Sequence, residues 1–160
     1  MCHFRIRSLL CPAVLSGLLA TVVAQDAPLP EGFTKQDRLR GSVSPEREWW
    51  DVQHYALSLE VFPESKSIKG SNLITFKALT GGDRMQIDLQ PPLQITSIVH
   101  GGSEVKFERE GNVYWVQLDK GVAAGAEDKV QVFYEGRPRQ STRPPWSGGF
   151  SWRKDEKGNP

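Results

Sequence analysis

Residues 47–61 read REWWDVQHYALSLEV, and this stretch decides the fold of the chain. From Tyr55 to Val61, apolar side chains alternate with small or polar ones. A period of two predicts a β-strand with one buried face, because successive side chains leave a pleated backbone on opposite sides. The side predicted to be buried carries Tyr55, Leu57, Leu59 and Val61. Trp49 and Trp50 bring a large apolar area to the start of this strand, so we expect two indoles to anchor it in an antiparallel sheet.

Short strands follow this one at regular intervals, with glycine and proline between them. The predicted segments are Ile68–Ala78, Met85–Leu89, Leu93–His100, Glu104–Arg109, Val113–Leu118 and Lys129–Glu135. We expect the first strand to form a long hairpin with the second, and the two segments on either side of the Glu-Gly-Asn turn to form another. Helical periodicity is absent from residue 25 onward. The pattern predicts an all-β fold, an antiparallel sandwich or saddle-shaped domain over residues 45–160.

The first 24 residues have the pattern of a secretory signal peptide. Arg5 and Arg7 precede an apolar run, Leu9–Ala20, and small or modest residues lead up to Gln25. The run is shorter than the roughly 20 residues that span a bilayer, so we expect cleavage before Gln25 rather than a retained membrane anchor. The predicted location is therefore exported, periplasmic or extracellular, with no membrane span after cleavage. Both cysteines lie in this leader, so we expect no disulfide in the mature protein.

Residues 25–44 are rich in proline, glycine and charge, and they are predicted to be a linker or a leader segment lying on the domain. The whole chain has 20 basic and 19 acidic residues, and two of the basic residues lie in the leader. A net charge near zero gives no basic face for nucleic acid. We therefore predict no nucleic-acid partner.

After residue 136 the chain becomes rich in aromatic residues, proline and glycine. Two interpretations are open for the aromatic residues Trp146, Phe150 and Trp152. In the first, they form an exposed contact surface for a sugar or a peptide. In the second, they cover apolar surface and pack against a neighbouring domain, which is the commoner role of large aromatic side chains. The polar stretch at residues 154–159 is typical of a hairpin turn whose second strand is missing, so we expect the chain to be a fragment.

Catalytic chemistry has no strong candidate among these residues. A zinc peptidase site needs His-Glu-x-x-His on one helix, whereas His54 and His100 lie on separate predicted strands. Two weaker hypotheses remain: a two-histidine site completed by Asp51, and a carboxylate pair formed by Glu108 and Glu110. We predict no catalytic, cofactor-binding or metal-binding residue in this chain.

Many positions in the right order resemble the N-terminal domain of the aminopeptidase N family of zinc metallopeptidases, and its secreted bacterial members in particular. The likeness covers residues 45–160. It rests on Arg47, Trp49-Trp50, Asp51-Val52, His54-Tyr55, Ile68–Phe76 with Gly70, Asp88-Leu89, Tyr134-Glu135-Gly136 and Pro145–Phe150. Ala56 departs from the family, which commonly has Asp at this position.

The resemblance implies a non-catalytic scaffold that packs on the catalytic domain of the same polypeptide. In the family, that domain holds one zinc ion with two His and a Glu and activates water with another Glu. A Gly-x-Met-Glu-Asn segment binds the free amino end of the peptide substrate. None of these positions matches a residue here, so the zinc ligands are expected beyond residue 160. The alternative is a freestanding exported β-sandwich that binds carbohydrate or protein.

Cleavage of the leader can be checked directly. N-terminal sequencing of the exported protein should find a mature start at Gln25 or an immediate neighbour, because the apolar run is too short to be retained as an anchor. A protein that keeps Met1 would contradict the signal peptide.

Overall fold

The computed structural model describes residues 31–159, so the signal peptide at residues 1–24 lies outside the described part of the chain. Two short helices, α1 (Lys35–Gly41) and α2 (Pro45–Glu48), precede the strands. The strands are β1 (Trp50–Phe62), β2 (Ser67–Ala78), β3 (Gly82–Asp88), β4 (Gln94–His100), β5 (Ser103–Glu104), β6 (Lys106–Glu110), β7 (Val113–Val122) and β8 (Glu127–Gly136). They form a five-stranded antiparallel sheet, β1-β2-β8-β4-β5, and a three-stranded one, β3-β7-β6. The predicted all-β sandwich class is confirmed.

Both predicted hairpins are present. Strand β1 pairs with β2 along its whole length, from Trp50 opposite Ala78 to Phe62 opposite Ser67, with one irregularity at Gln53. Strand β6 pairs with β7, and Gly111 lies in the turn between them with φ +63°. That conformation strains a residue with a Cβ, which is why glycine stands at this turn.

The hydrophobic core lies between the two sheets. Its members are the buried residues Trp49, Ile74, Phe76, Ala78, Met85, Ile87, Ile95, Ile98, Val105, Tyr114, Val116, Leu118, Val122, Val130 and Val132. Phe76 is the centre of an aromatic cluster, because the rings of Trp49 and Trp50 both meet it edge to face, at 5.8 and 5.6 Å between centroids. The indole N–H of Trp49 donates to the carbonyl of Arg84 at 2.7 Å. The two indoles therefore anchor the start of β1, as the sequence predicts.

The predicted burial of the β1 side chains is wrong along most of the strand. Tyr55, Leu57, Leu59 and Val61 are all exposed, Leu57 to 68%. The strand itself and its alternation are as predicted, and Trp50 and Val52, at its start, are packed against the core. The reason for the difference is the size of the second sheet. Its three strands reach β2 only at Ile74, Phe76 and Ala78, so the far end of β1 extends past the core.

The segment before β1 contains two short helices, which the sequence pattern did not predict, and it is packed on the second sheet. Thr34 caps α1 in a capping box with Asp37, whose hydrogen bonds from Thr34 lower the pKa of its carboxyl group. The buried amide of Gln86 in β3 accepts from Ser44 at 2.8 Å and donates to the carbonyl of Leu39 at 2.9 Å. These bonds satisfy a buried polar side chain and fix the helical segment to the side of β3 that faces away from the core.

The packing of Trp49 on β3 gives a prediction with a matched control. A Cβ added to Gly82 would overlap the Trp49 indole, whereas a Cβ on Gly81 would lie 3.7 Å from its nearest neighbour, the carbonyl of Val122. Gly82→Ala should therefore lower the free energy of unfolding by about 1–3 kcal/mol, measured by urea denaturation. Gly81→Ala should change it by less than about 0.5 kcal/mol. Equal effects of the two substitutions would contradict this account of the anchor.

Candidate functional site

An uncovered apolar surface lies on the core-facing side of the five-stranded sheet. Tyr55 is paired with Ile74 and Val61 with Ile68, and both partners are buried. Directly opposite residues of an antiparallel pair share a face, so the exposed β1 side chains project to the same side as the core. We call this surface the open inner face. It consists of Tyr55, Leu57, Leu59 and Val61.

A groove marks the border between the open inner face and the core. It has a volume of about 210 Å³ and is lined by residues of both sheets, among them Leu57, Asn72, Ile74, Ile87, Leu89 and Tyr134. Most of these side chains are apolar. The Oδ1 atom of Asn72 is buried without a hydrogen-bond partner among the described residues. The open inner face and the groove are therefore an extension of the apolar core that is exposed to solvent.

The aromatic segment after β8 is closed on itself by hydrogen bonds. The backbone N–H of Phe150 donates to the carbonyl of Arg139 at 2.8 Å, and the N–H of Ser141 donates to the carbonyl of Phe150 at 2.9 Å. Within the loop, the hydroxyl of Ser141 donates to the carbonyl of Ser147 at 2.6 Å. These bonds hold residues 139–150 as a compact loop.

The three aromatic residues singled out by the sequence have different environments in this loop. Phe150 and Trp152 are half-buried and stacked, with ring centroids 5.6 Å apart and planes inclined by 24°. Trp146 is 81% exposed, and no ring contact joins it to another aromatic residue of the described chain. The structure therefore brings Phe150 and Trp152 together and leaves Trp146 apart. A ligand-binding role for the three residues stays a prediction.

The weaker catalytic hypotheses find no support in the geometry. His54 lies on β1 and His100 on β4, three strand spacings apart, which is about 14 Å. His100 is buried and its Nε2 lies 3.0 Å from Asp128. Glu110 forms an ion pair with Lys35 and accepts from the indole of Trp115, and these two hydrogen bonds lower the pKa of its carboxyl group. His100 and Glu110 therefore have structural partners.

The described residues contain neither a metal-binding cluster nor a membrane-spanning helix. Between residues 31 and 159, no group of three His, Cys, Asp or Glu side chains is arranged to hold a metal ion. Neither of the two short helices has the length and apolar character needed to cross a membrane. The site that the geometry does define is the open inner face.

Comparison with solved structures identifies the class of fold. The chain is similar to the M1 zinc metallopeptidase from Deinococcus radiodurans, with 23% identity and a TM-score of 0.54 over 64% of this chain and 24% of that one. A mutant of the same enzyme, bound to a Tyr-Ser-Ala substrate, matches with 24% identity and a TM-score of 0.54 over the same shares. No protein-family model and no curated protein matches the chain.

These matches establish the fold. The resemblance to the N-terminal domain of M1 aminopeptidases is confirmed at that level: the chain folds as that part of the metallopeptidases does. This chain spans about a quarter of the length of the solved structures it matches.

The different environments of the two tryptophans of the aromatic segment predict different effects of truncation. Trp146→Ala should change the free energy of unfolding by less than about 0.5 kcal/mol, because the indole is exposed. Trp152→Ala should lower it by about 1–3 kcal/mol through the lost stacking on Phe150. Thermal and urea denaturation of the two variants would measure both values. A larger loss in Trp146→Ala than in Trp152→Ala would contradict the assignment.

Proposed function

We propose that this chain is the non-catalytic N-terminal scaffold domain of an exported zinc aminopeptidase, and that its open inner face packs on the remainder of that polypeptide. The observation that supports this proposal is the open inner face. Four large apolar side chains on one strand continue the face that forms the core, and the second sheet leaves them exposed.

Exposed apolar surfaces of this kind are typical of interfaces. Single exposed leucines are normal in monomers, but a contiguous apolar patch beside an apolar groove is typical of a site that binds another surface. The β1 stripe adjoins the groove through Leu57, which belongs to both. The fold matches part of a longer metallopeptidase, so the rest of the same polypeptide is the partner that we propose.

The proposal assigns the chemistry to residues outside this chain. Zinc, its ligands and the groups that hold the amino end of a peptide substrate would belong to the catalytic domain. The contribution of residues 45–159 is then positional, because a domain that packs on a catalytic domain fixes the shape and the rim of its cleft. Export follows from the leader sequence, and zinc-dependent peptide hydrolysis follows from the family resemblance.

A variant of the open inner face tests the proposal. Leu57→Asp should leave the 160-residue chain as stable as the wild type, within about 0.5 kcal/mol, because Leu57 is exposed there. In the product of the complete reading frame it should lower stability by at least about 2 kcal/mol, because a carboxylate would be buried at the interface. Unfolding of both lengths, with chelator-sensitive release of amino-terminal residues as the activity assay, measures the difference.

The matched control introduces the same side chain on the opposite side of the sheet. Ala56 is exposed, projects to the opposite side of β1 from Leu57, and is paired with the uncharged Leu73. Ala56→Asp should be neutral at both lengths. A Leu57→Asp effect no larger than that of Ala56→Asp in the full-length protein would overturn the scaffold role. A reading frame without His-Glu-x-x-His would overturn the peptidase assignment.

The exposure of Trp146 favours a second candidate function, an exported module that binds carbohydrate or protein. An indole at the tip of a loop held by hydrogen bonds is a suitable platform for a sugar ring or an apolar side chain. Retention of the mature chain on immobilised polysaccharides, lost in Trp146→Ala, would favour this alternative over the scaffold.

A further inference from the structure

Within residues 31–159 the two sheets have four edge strands, and three of them carry a feature that hinders pairing with another chain. Strand β5 is only two residues long. Strand β6 reads KFERE and carries four charges in five residues. On β3 the backbone carbonyl of Arg84 already accepts a hydrogen bond from the indole of Trp49, and the helical segment is packed on the strand through Gln86. Short length, charge and a covering segment are the usual means by which proteins block edge-to-edge association.

The fourth edge strand, β1, is long, carries few charges and is not covered by another segment of the described chain. It is 13 residues long and contains no Lys, Arg or Pro, and Asp51 and Glu60 are its only carboxylates. Its one irregularity, at Gln53, lies near its start. From Tyr55 to Val61 the strand is regularly paired with β2 on one side, and on the other side no strand of the described chain is paired with it. A long, regular and apolar edge offers its free N–H and C=O groups to an extended partner.

The sequence of β1 is self-complementary in one antiparallel register. When two copies are related by a two-fold axis at Ser58, Tyr55 faces Val61 of the second copy and Leu57 faces its Leu59. All four side chains of the open inner face then have an apolar partner from the same set. A register shifted by two residues in either direction loses this match, because Gln53 or Pro63 enters the pairing.

Charge favours the same register. Glu60 faces Ala56 of the second copy, so no like charges lie opposite each other. A two-fold axis at Glu60 would instead place two carboxylates together, which is destabilising. Pairing about a two-fold axis is isologous and closed, so it ends at a dimer rather than a fibre.

We propose that the mature chain forms a dimer in which β1 pairs with β1 of a second copy, antiparallel about Ser58. The two five-stranded sheets then become one continuous ten-stranded sheet. The scaffold role concerns the face of β1 that carries Leu57, whereas Ser58 projects to the opposite face, so substitutions at Ser58 test the dimer without altering the open inner face.

Charge substitutions at the two-fold axis test the dimer. In the proposed register each Ser58 lies opposite its own copy, so Ser58→Lys places two ammonium groups together and should weaken dimerisation at least about tenfold. Ser58→Glu should do the same with two carboxylates. An equimolar mixture of the two variants should recover the dimer, because Lys then faces Glu. Sedimentation equilibrium of the mature chain from micromolar to submillimolar concentration measures all three.

The control uses the opposite edge of the same sheet. Ser103 is exposed on β5, and Ser103→Lys should leave the dimer unchanged. Far-UV circular dichroism and urea midpoints show that each variant is folded. Hydrogen exchange should further show protection of β1 backbone amides that increases with protein concentration. A wild-type chain that stays monomeric over the whole range, or a Ser58→Lys variant that dimerises as tightly as the wild type, would overturn the proposal.

Discussion

The contact of Trp49 and Trp50 with Phe76 is the interaction on which the rest of the architecture depends. It joins the first strand to the second and, through the hydrogen bond from Trp49 to the carbonyl of Arg84, joins both to the second sheet. Large aromatic rings that meet edge to face supply both buried area and a preferred geometry. This contact lies at the end of β1 that the second sheet covers, and the second sheet does not extend to the other end. The exposed stripe on β1 follows from that arrangement.

The strands could be predicted from the sequence because their signals are local. Alternation from Tyr55 to Val61 identifies β1 and also the side to which its apolar residues project. Whether those residues are buried depends on how far a second sheet extends, and that sheet is made of residues distant in sequence. The pattern of one strand contains no information about the length of its neighbour across the core. The orientation was therefore predictable and the burial was not.

The helical segment and the aromatic loop show two other limits. Helix α1 is seven residues long, too short for a hydrophobic period, and its clearest sign is the Thr34 and Asp37 pair at its start. In the aromatic loop, composition identified Trp146, Phe150 and Trp152 as a group, but the stacking of two of them and the exposure of the third depend on hydrogen bonds between residues 139 and 150. The residue types could be predicted from the sequence, but the contacts among them could not.

The amide of Gln86 has a consequence for where the folding unit begins. Its acceptor and donor groups are satisfied by Ser44 and Leu39, both upstream of the first strand. A polypeptide that started at residue 45 would keep every strand and yet lose both of these hydrogen bonds and the residues that cover the amide. The packed unit therefore extends upstream of its sheets.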